Sequence, residues 1–346
     1  MGDRLRSKSL QYMPALDGLR ALSVGMVFTV HALPALRFPG GLGVDVFFVI
    51  SGFLITRILL KEYRRDGRID LRAFYLKRAL RLYPALLLAC VAFIVFFVAL
   101  RHALPIALLK VTGVALAYIS NIWMTVTGTY IGHLSHTWSL AMEEQFYLVW
   151  PILLLVLLRF RRPEFVLAVL AAGGLAAWSL FGADQPYNPL LKAGGLLIGC
   201  LVAFLVERRT WQSPALAYLS VGLFVACAYL ESVGAIGRDW TLPLVSLTVP
   251  FLILHLAFGR GPLVRFFSSR ILVHFGVLSY GLYLWHYMVL SALGMLGYKH
   301  GGTMTVIAAV LTYAAAWLSF RFVESPILKL KDKIVVRKAA PEAATV

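Results

Sequence analysis

Charge is scarce in this chain. Asp, Glu, Lys and Arg make up 14% of its 346 residues, where soluble domains carry about a quarter. Acidic residues are the rarer sign, 16 against 33 basic ones. So little charge excludes an array of soluble domains and a solvated disordered chain. Cysteine is nearly absent too. Cys90, Cys200 and Cys227 all lie in apolar runs, which excludes a disulfide scaffold and leaves three small hydrophobes. No HExxH pattern occurs, and His133 and His136 have no third ligand at a suitable spacing, so no metal site is expected. A cleavable leader is not expected either. Asp17 and Arg20 interrupt the first apolar run and no small-x-small site follows. There is no internal repeat.

Apolar residues are what the chain has in abundance, at 60%, with a mean hydropathy of +0.80. They form runs of the 17–25 residues a bilayer helix requires. The expected fold is therefore all-α, a polytopic integral membrane protein. Spans are expected near 15–36, 41–60, 82–100, 139–158, 164–182, 189–206, 214–231, 240–258, 271–297 and 303–323. The net charge of +17 sits in clusters between the runs, which fits the positive-inside rule and not a nucleic-acid partner.

Those clusters set the topology. Lys61, Arg64, Arg65, Arg68, Arg72, Lys77, Arg78 and Arg81 place 61–81 in the cytoplasm. Arg159, Arg161 and Arg162 place the loop after 139–158 there too. Both hold only if the apolar stretch 104–124, which contains Pro105 and Asn121, does not cross. It is expected to be re-entrant or to lie on the outer surface. About ten spans then result, with both termini cytoplasmic and Arg208, Arg209, Arg260, Arg265 and Arg270 inside. Residues 1–330 read as one membrane domain and 331–346 as a short basic cytoplasmic tail, with Lys331, Lys333, Arg337 and Lys338. No extracytoplasmic partner domain is expected.

The chain is organised around its first apolar hairpin, Tyr12 to Thr56. Asp17, Arg20, His31 and Asp45 lie within it. Ionisable groups in a membrane-length segment cost several kcal/mol unless paired, so they mark a functional site by default. Arg20 and His31 are eleven residues apart, about three helical turns, hence on one face and roughly 16 Å apart. The hairpin should bring Asp45 to the depth of His31, as an imidazole with its orienting carboxylate. Glu143, Glu144 and His286 reach the same outer half from other spans. Each has a plainer role as well: a polar pin between helices, a helix-start carboxylate, an interfacial anchor.

The blocks LDGLRALSV, His31, GLGVDVFFVISGFLIT, KRALRLYPA (77–85), HTWSLAMEEQFYLVWP (136–151), SYGLYLWH (279–286) and FRFVESP (320–326) occur in an order that resembles the acyltransferase-3 family of membrane O-acyltransferases. The resemblance covers most of the chain. It implies transfer of an acyl group, acetyl by expectation, from cytoplasmic acyl-CoA to a hydroxyl of a glycan, glycolipid or similar acceptor at the outer side. No tightly bound cofactor is expected. His31 would be the base or acyl carrier, with Asp45 or Glu143 fixing its tautomer. Arg78 and Arg81 would hold the phosphates of acyl-CoA, since arginine forks suit phosphate oxygens, and Arg20 would line the path upward. Asp17, Ser51, Glu144, Tyr147 and His286 would line the site. Lys192 stands where relatives often show arginine followed by an acidic residue. The plasma (bacterial inner) membrane is the expected location. Two other classes stay open on the residues alone: a transporter or flippase, in which mid-membrane charges mark an ion path, and a non-catalytic scaffold.

The topology has a direct check. Reporter fusions after Leu158 and after Lys338 should both read cytoplasmic, and an extracytoplasmic signal at Lys338 would require an odd number of crossings.

Overall fold

The computed structural model describes residues 12–208 and 213–329. The expected tail 331–346, Arg209 and the first eleven residues lie outside the described residues. Helices account for all of the regular structure described, as the missing backbone partners of a bilayer interior require. In chain order they are α1 (Pro14–Ala32), α2 (Gly41–Asp66), α3 (Leu71–Arg101), α4 (Ile106–Leu116), α5 (Ser120–Thr127), α6 (Thr137–Leu157), α7 (Pro163–Phe181), α8 (Pro189–Arg208), α9 (Pro214–Ser232), α10 (Arg238–Phe258), α11 (Pro262–Phe267), α12 (Arg270–Val277), α13 (Ser279–Met295) and α14 (Gly302–Ser319). A π-helical turn, Phe320–Glu324, continues α14. Proline opens six of them, at α1, α7, α8, α9 and α11 and as the residue before α4, where its missing N–H costs nothing.

Eight of these helices are long and apolar enough to cross a membrane: α2, α3, α6, α7, α8, α9, α10 and the continuous helix from Gly302 to Lys329. The chain is a multi-pass membrane protein. α1 and α13 fall outside this set of eight. α13 has 17 residues, and α1 carries Asp17, Arg20 and His31. The expected span 271–297 is in fact two helices, α12 and α13, parted at Leu278. α1 is no lipid-facing helix. It packs against α2, α11, α12 and α13, and Leu16, Leu19, Val24 and Val27 are all buried.

The stretch 104–124 contains no helix long enough to cross, as expected from the loop charge. It divides into α4 and α5, of 11 and 8 residues, about 16 and 12 Å long, short of a bilayer core. The break falls at Tyr118, whose φ of 53° is left-handed, between the Pro105 and Asn121 from which the sequence inferred it. α5 then returns along α6, fastened by a reciprocal amide pair. Asn121 Nδ2 donates to Gln145 Oε1 (3.0 Å) and Gln145 Nε2 donates to Asn121 Oδ1 (2.8 Å), with Asn121 fully buried.

α2 is the axis of the bundle. Its Val44 and Phe48 join one apolar core, its Val46, Val49, Ile50 and Phe53 a second, and its Ile55, Leu59 and Leu60 a third. It meets α8 with backbones nearly touching. A Cβ at Gly52 would stand 2.0 Å from the Leu196 carbonyl oxygen, and one at Gly199 2.1 Å from that of Val49. Only glycine permits that approach, as at other small-residue membrane interfaces.

A charged seam closes the same interface. Asp45 of α2 accepts from Lys192 Nζ of α8 (3.2 Å) and from Arg238 Nη2 of α10 (2.5 Å). Arg238 also pairs with Glu231 (3.4 Å), which accepts from Thr241. Two acids thus meet two bases, and Lys192 Nζ lies 4.1 Å from the centre of the Trp178 ring. This corrects one expectation. Asp45 does not orient His31, because two cations on other helices, buried Lys192 and half-buried Arg238, take both of its oxygens. It also explains Lys192: a primary amine answers one carboxylate oxygen here, while Arg238 takes the other.

Asp45→Asn should therefore act on stability. Removing one partner of a buried pair costs about 3–5 kcal/mol, so the variant should show a clearly lowered thermal midpoint in detergent and a poor folded yield. Wild-type stability with selective loss of activity would return Asp45 to the chemical step.

Candidate functional site

The expected site residues gather in two groups along one axis. The upper group is built on histidines. His31, in the last turn of α1, places Nδ1 2.9 Å from the Val27 carbonyl and 3.1 Å from His286 Nε2 of α13. His286 Nδ1 lies 2.5 Å from the Tyr283 carbonyl. Carbonyl oxygens only accept, so these contacts assign the protons. His286 must carry its proton on Nδ1, which leaves Nε2 with a lone pair. His31 carries its proton on Nδ1 and shares it between Val27 and His286. Its Nε2 then keeps a free lone pair and has no hydrogen-bond partner among the described residues. A neutral base with a fixed tautomer is the result.

Around this pair stand residues the sequence did not single out. His136, expected to be an ordinary outer-loop residue, is buried at the start of α6. Its Nε2 lies 3.0 Å from the Leu284 carbonyl, and its ring is 5.4 Å from that of His286. The Tyr283 hydroxyl donates to the His136 carbonyl (2.8 Å) and meets Ser139 Oγ at 2.6 Å. The Tyr287 ring stands edge-on to His31 at 4.9 Å. A signal was present for Tyr283, three residues before His286 and so on its face, and Tyr287 lies four residues after Tyr283, but periodicity alone cannot tell a site wall from core. Three imidazoles this close suggest a metal, yet among the described residues no group of three His, Cys, Asp or Glu is placed to hold one. One nitrogen of His31, one of His136 and both of His286 are engaged by carbonyls or by one another.

The lower group is built on arginines and carboxylates. Glu143 does not reach His31. It accepts from Ser51 Oγ and from the Tyr147 hydroxyl (2.5 Å), so it ties α2 to α6. Of the two carboxylates expected beside His31, then, neither is its partner, and His286 occupies that place. Arg78, one turn before Arg81 on α3, lies over the Tyr147 ring at 3.5 Å, and its buried Nε has no partner among the described residues. Arg81 feels the charges of Arg20 and Arg78, while Arg20 stands 3.9 Å from Asp17. Glu144 and Arg78 line one opening with Tyr83 and Tyr118. Three guanidinium groups from α1 and α3 thus converge, with Asp17, Glu143, Glu144 and Glu324 within electrostatic reach.

A thin cavity joins the groups. It has a volume of about 40 Å³, room for a few waters, and runs from Arg20 past Phe47 and Glu143 to Ser139 and Tyr283. Tyr283 in turn borders His286, ring to ring at 5.4 Å.

Comparison with known proteins follows the same outline. A family model described as an acyltransferase domain, acyltransferase 3, matches residues 13–321. The chain is 32% identical to the peptidoglycan O-acetyltransferase OatA of Listeria monocytogenes, over 93% of this chain and 56% of that protein. It is 30% identical to the O-acetyltransferase OatA of Staphylococcus aureus, over 93% of this chain and 58% of that one. A putative O-acetyltransferase of Staphylococcus aureus is 31% identical with the same coverage. The chain spans just over half the length of these relatives. No solved structure matches it. The matched region holds both histidines of the upper pair and all three arginines below them, and the chain belongs to the acyltransferase-3 family.

Proposed function

We propose that the protein is a membrane O-acetyltransferase that takes its acyl group from acyl-CoA on the cytoplasmic side and passes it to a hydroxyl of a cell-surface glycan on the outer side. The observation that carries this reading is the His31–His286 pair, with the free Nε2 of His31, beside the Tyr283 that ends a narrow cavity starting at Arg20. The printed names of the relatives, one of them a peptidoglycan O-acetyltransferase, support the acetyl group and the glycan acceptor. Clustered loop charge supports the bacterial plasma membrane with both termini cytoplasmic.

In this mechanism Arg78 and Arg81 grip the donor's phosphates, and the unpartnered Arg78 Nε supplies one such donor bond. The pantetheine arm extends along the cavity, and the thioester reaches the histidines. His31 Nε2 accepts the proton of the acceptor hydroxyl as its oxygen attacks the thioester carbonyl. The C–S bond breaks, and the imidazolium returns the proton to the departing thiolate. His286 Nε2 and the Val27 carbonyl hold the His31 Nδ1 proton throughout, and so keep the charged ring in place without a carboxylate. A base of this kind supplies about 10²–10⁴-fold in rate.

Purified protein should release CoA slowly from acetyl-CoA even without acceptor, which a flippase or a scaffold would not do. His31→Ala should lower turnover about 10²–10⁴-fold with donor affinity unchanged. His286→Ala should lower kcat and leave the donor KM near wild type. A His31→Ala protein that turns over normally would end the catalytic assignment. At the lower group, Arg78→Ala should weaken acetyl-CoA binding about tenfold to a hundredfold, the loss of one charged hydrogen bond of ~1.5–3 kcal/mol. Unchanged affinity would reduce this arginine to an anchor of topology.

A further inference from the structure

A second concave site lies outside the catalytic axis, on the same end of the bundle as His31. Two non-helical stretches form it, the turn after α5 and the turn between α7 and α8. Irregular backbone of this kind belongs in water and not in the hydrocarbon core. The cavity has a volume of about 240 Å³ and is lined by Thr125, Thr129, Tyr130, Asp184, Gln185 and Tyr187, among others. Tyr130 is 71% exposed, more than any other aromatic side chain among the described residues. Tyr187 supports it edge to face at 5.9 Å. The Tyr187 hydroxyl donates to that of Tyr130 (3.2 Å), so the Tyr130 proton is left for a ligand.

The chemistry of the lining selects its occupant. No lysine or arginine lines the cavity, so an anion has nothing to pair with. An apolar ligand would leave Asp184, Gln185 and the threonines facing it unmatched. An aromatic plane ringed by hydroxyl, amide and carboxylate groups suits a pyranose. Its C–H face packs on the ring, and its hydroxyls donate to Asp184 and exchange bonds with Gln185. Asp184 is exposed and has no partner among the described residues.

The cleft also leads to the base. Tyr187 packs on Trp138 at 5.3 Å, at the start of α6. The Tyr287 side chain senses both Tyr130 and Tyr187 electrostatically, and its ring also meets those of His31, His136 and His286. We propose that this cleft is the acceptor subsite, in which a sugar ring lies on Tyr130, is held by Asp184, and presents a hydroxyl past Tyr287 to His31. This rests on the O-acyltransferase reading for the meaning of the hydroxyl, but binding of the sugar itself does not.

The test uses the full chain in nanodiscs, with chitotetraose as the probe and binding followed by titration calorimetry. The wild type should bind, Tyr130→Ala and Asp184→Asn should each lose at least tenfold in affinity, and Tyr130→Trp should restore it. Thermal midpoints of the variants should match wild type, since both residues are exposed. No binding by the wild type, or equal binding by a folded Tyr130→Ala protein, would overturn the assignment. CoA release from acetyl-CoA by the wild type, measured without glycan, separates the two readings. Its absence would sink the transferase reading, while the titration still decides the subsite.

Discussion

A bilayer offers no water to an ionised or hydrogen-bonding side chain, so every such group must be answered from within the protein. α1 feels this constraint most. It carries Asp17, Arg20 and His31, and in lipid those groups would be prohibitive. The bundle meets the demand by enclosing α1 with α2, α11, α12 and α13. Enclosure brings α13, and with it His286, against His31. The same rule operates at α2, where Asp45 draws Lys192 and Arg238 into the α8 and α10 contacts. Burying the polar groups and assembling the site are one event.

Much of this was legible in the sequence, and what was legible was local. The apolar runs gave the helices, and the loop arginines gave reason to keep 104–124 from crossing. The Arg20–His31 spacing and the Arg78–Arg81 spacing are helical facts that any fold of these segments preserves. Partners distant in sequence were not legible. His286 reaches His31 across 255 positions, and Lys192 reaches Asp45 across 147. A hairpin argument chose the nearest carboxylate for His31, but that carboxylate had a stronger claim from two cations on helices whose approach no periodicity reports. His136 was passed over for a similar reason. A histidine just before a helix reads as a loop residue until α13 is seen to cover it.

The two groups of the site differ in their polar character. The arginine end holds fixed charge of both signs, with a guanidinium nitrogen still unpaired. The histidine end holds no fixed charge: its protons are assigned by carbonyls of its own helices. Neutral imidazoles cost far less to bury than ions. That asymmetry lets the polar axis penetrate the bundle without a string of buried charges.

The narrowness of the connecting cavity bears on the energetics of the whole cell. A membrane that stores a voltage cannot contain a wet passage between its faces, since each charge that slips through dissipates about 2.3 kcal/mol per 100 mV. With about 40 Å³ between Arg20 and Tyr283, the passage has room for a few waters only, and apolar walls such as Phe47 and Phe48 favour drying at the constriction. A slim thioester arm would have to part these side chains to advance and would itself fill the gap it opened. A passage this narrow lets a multi-pass protein house a polar axis while keeping its two ends apart by little more than a few waters.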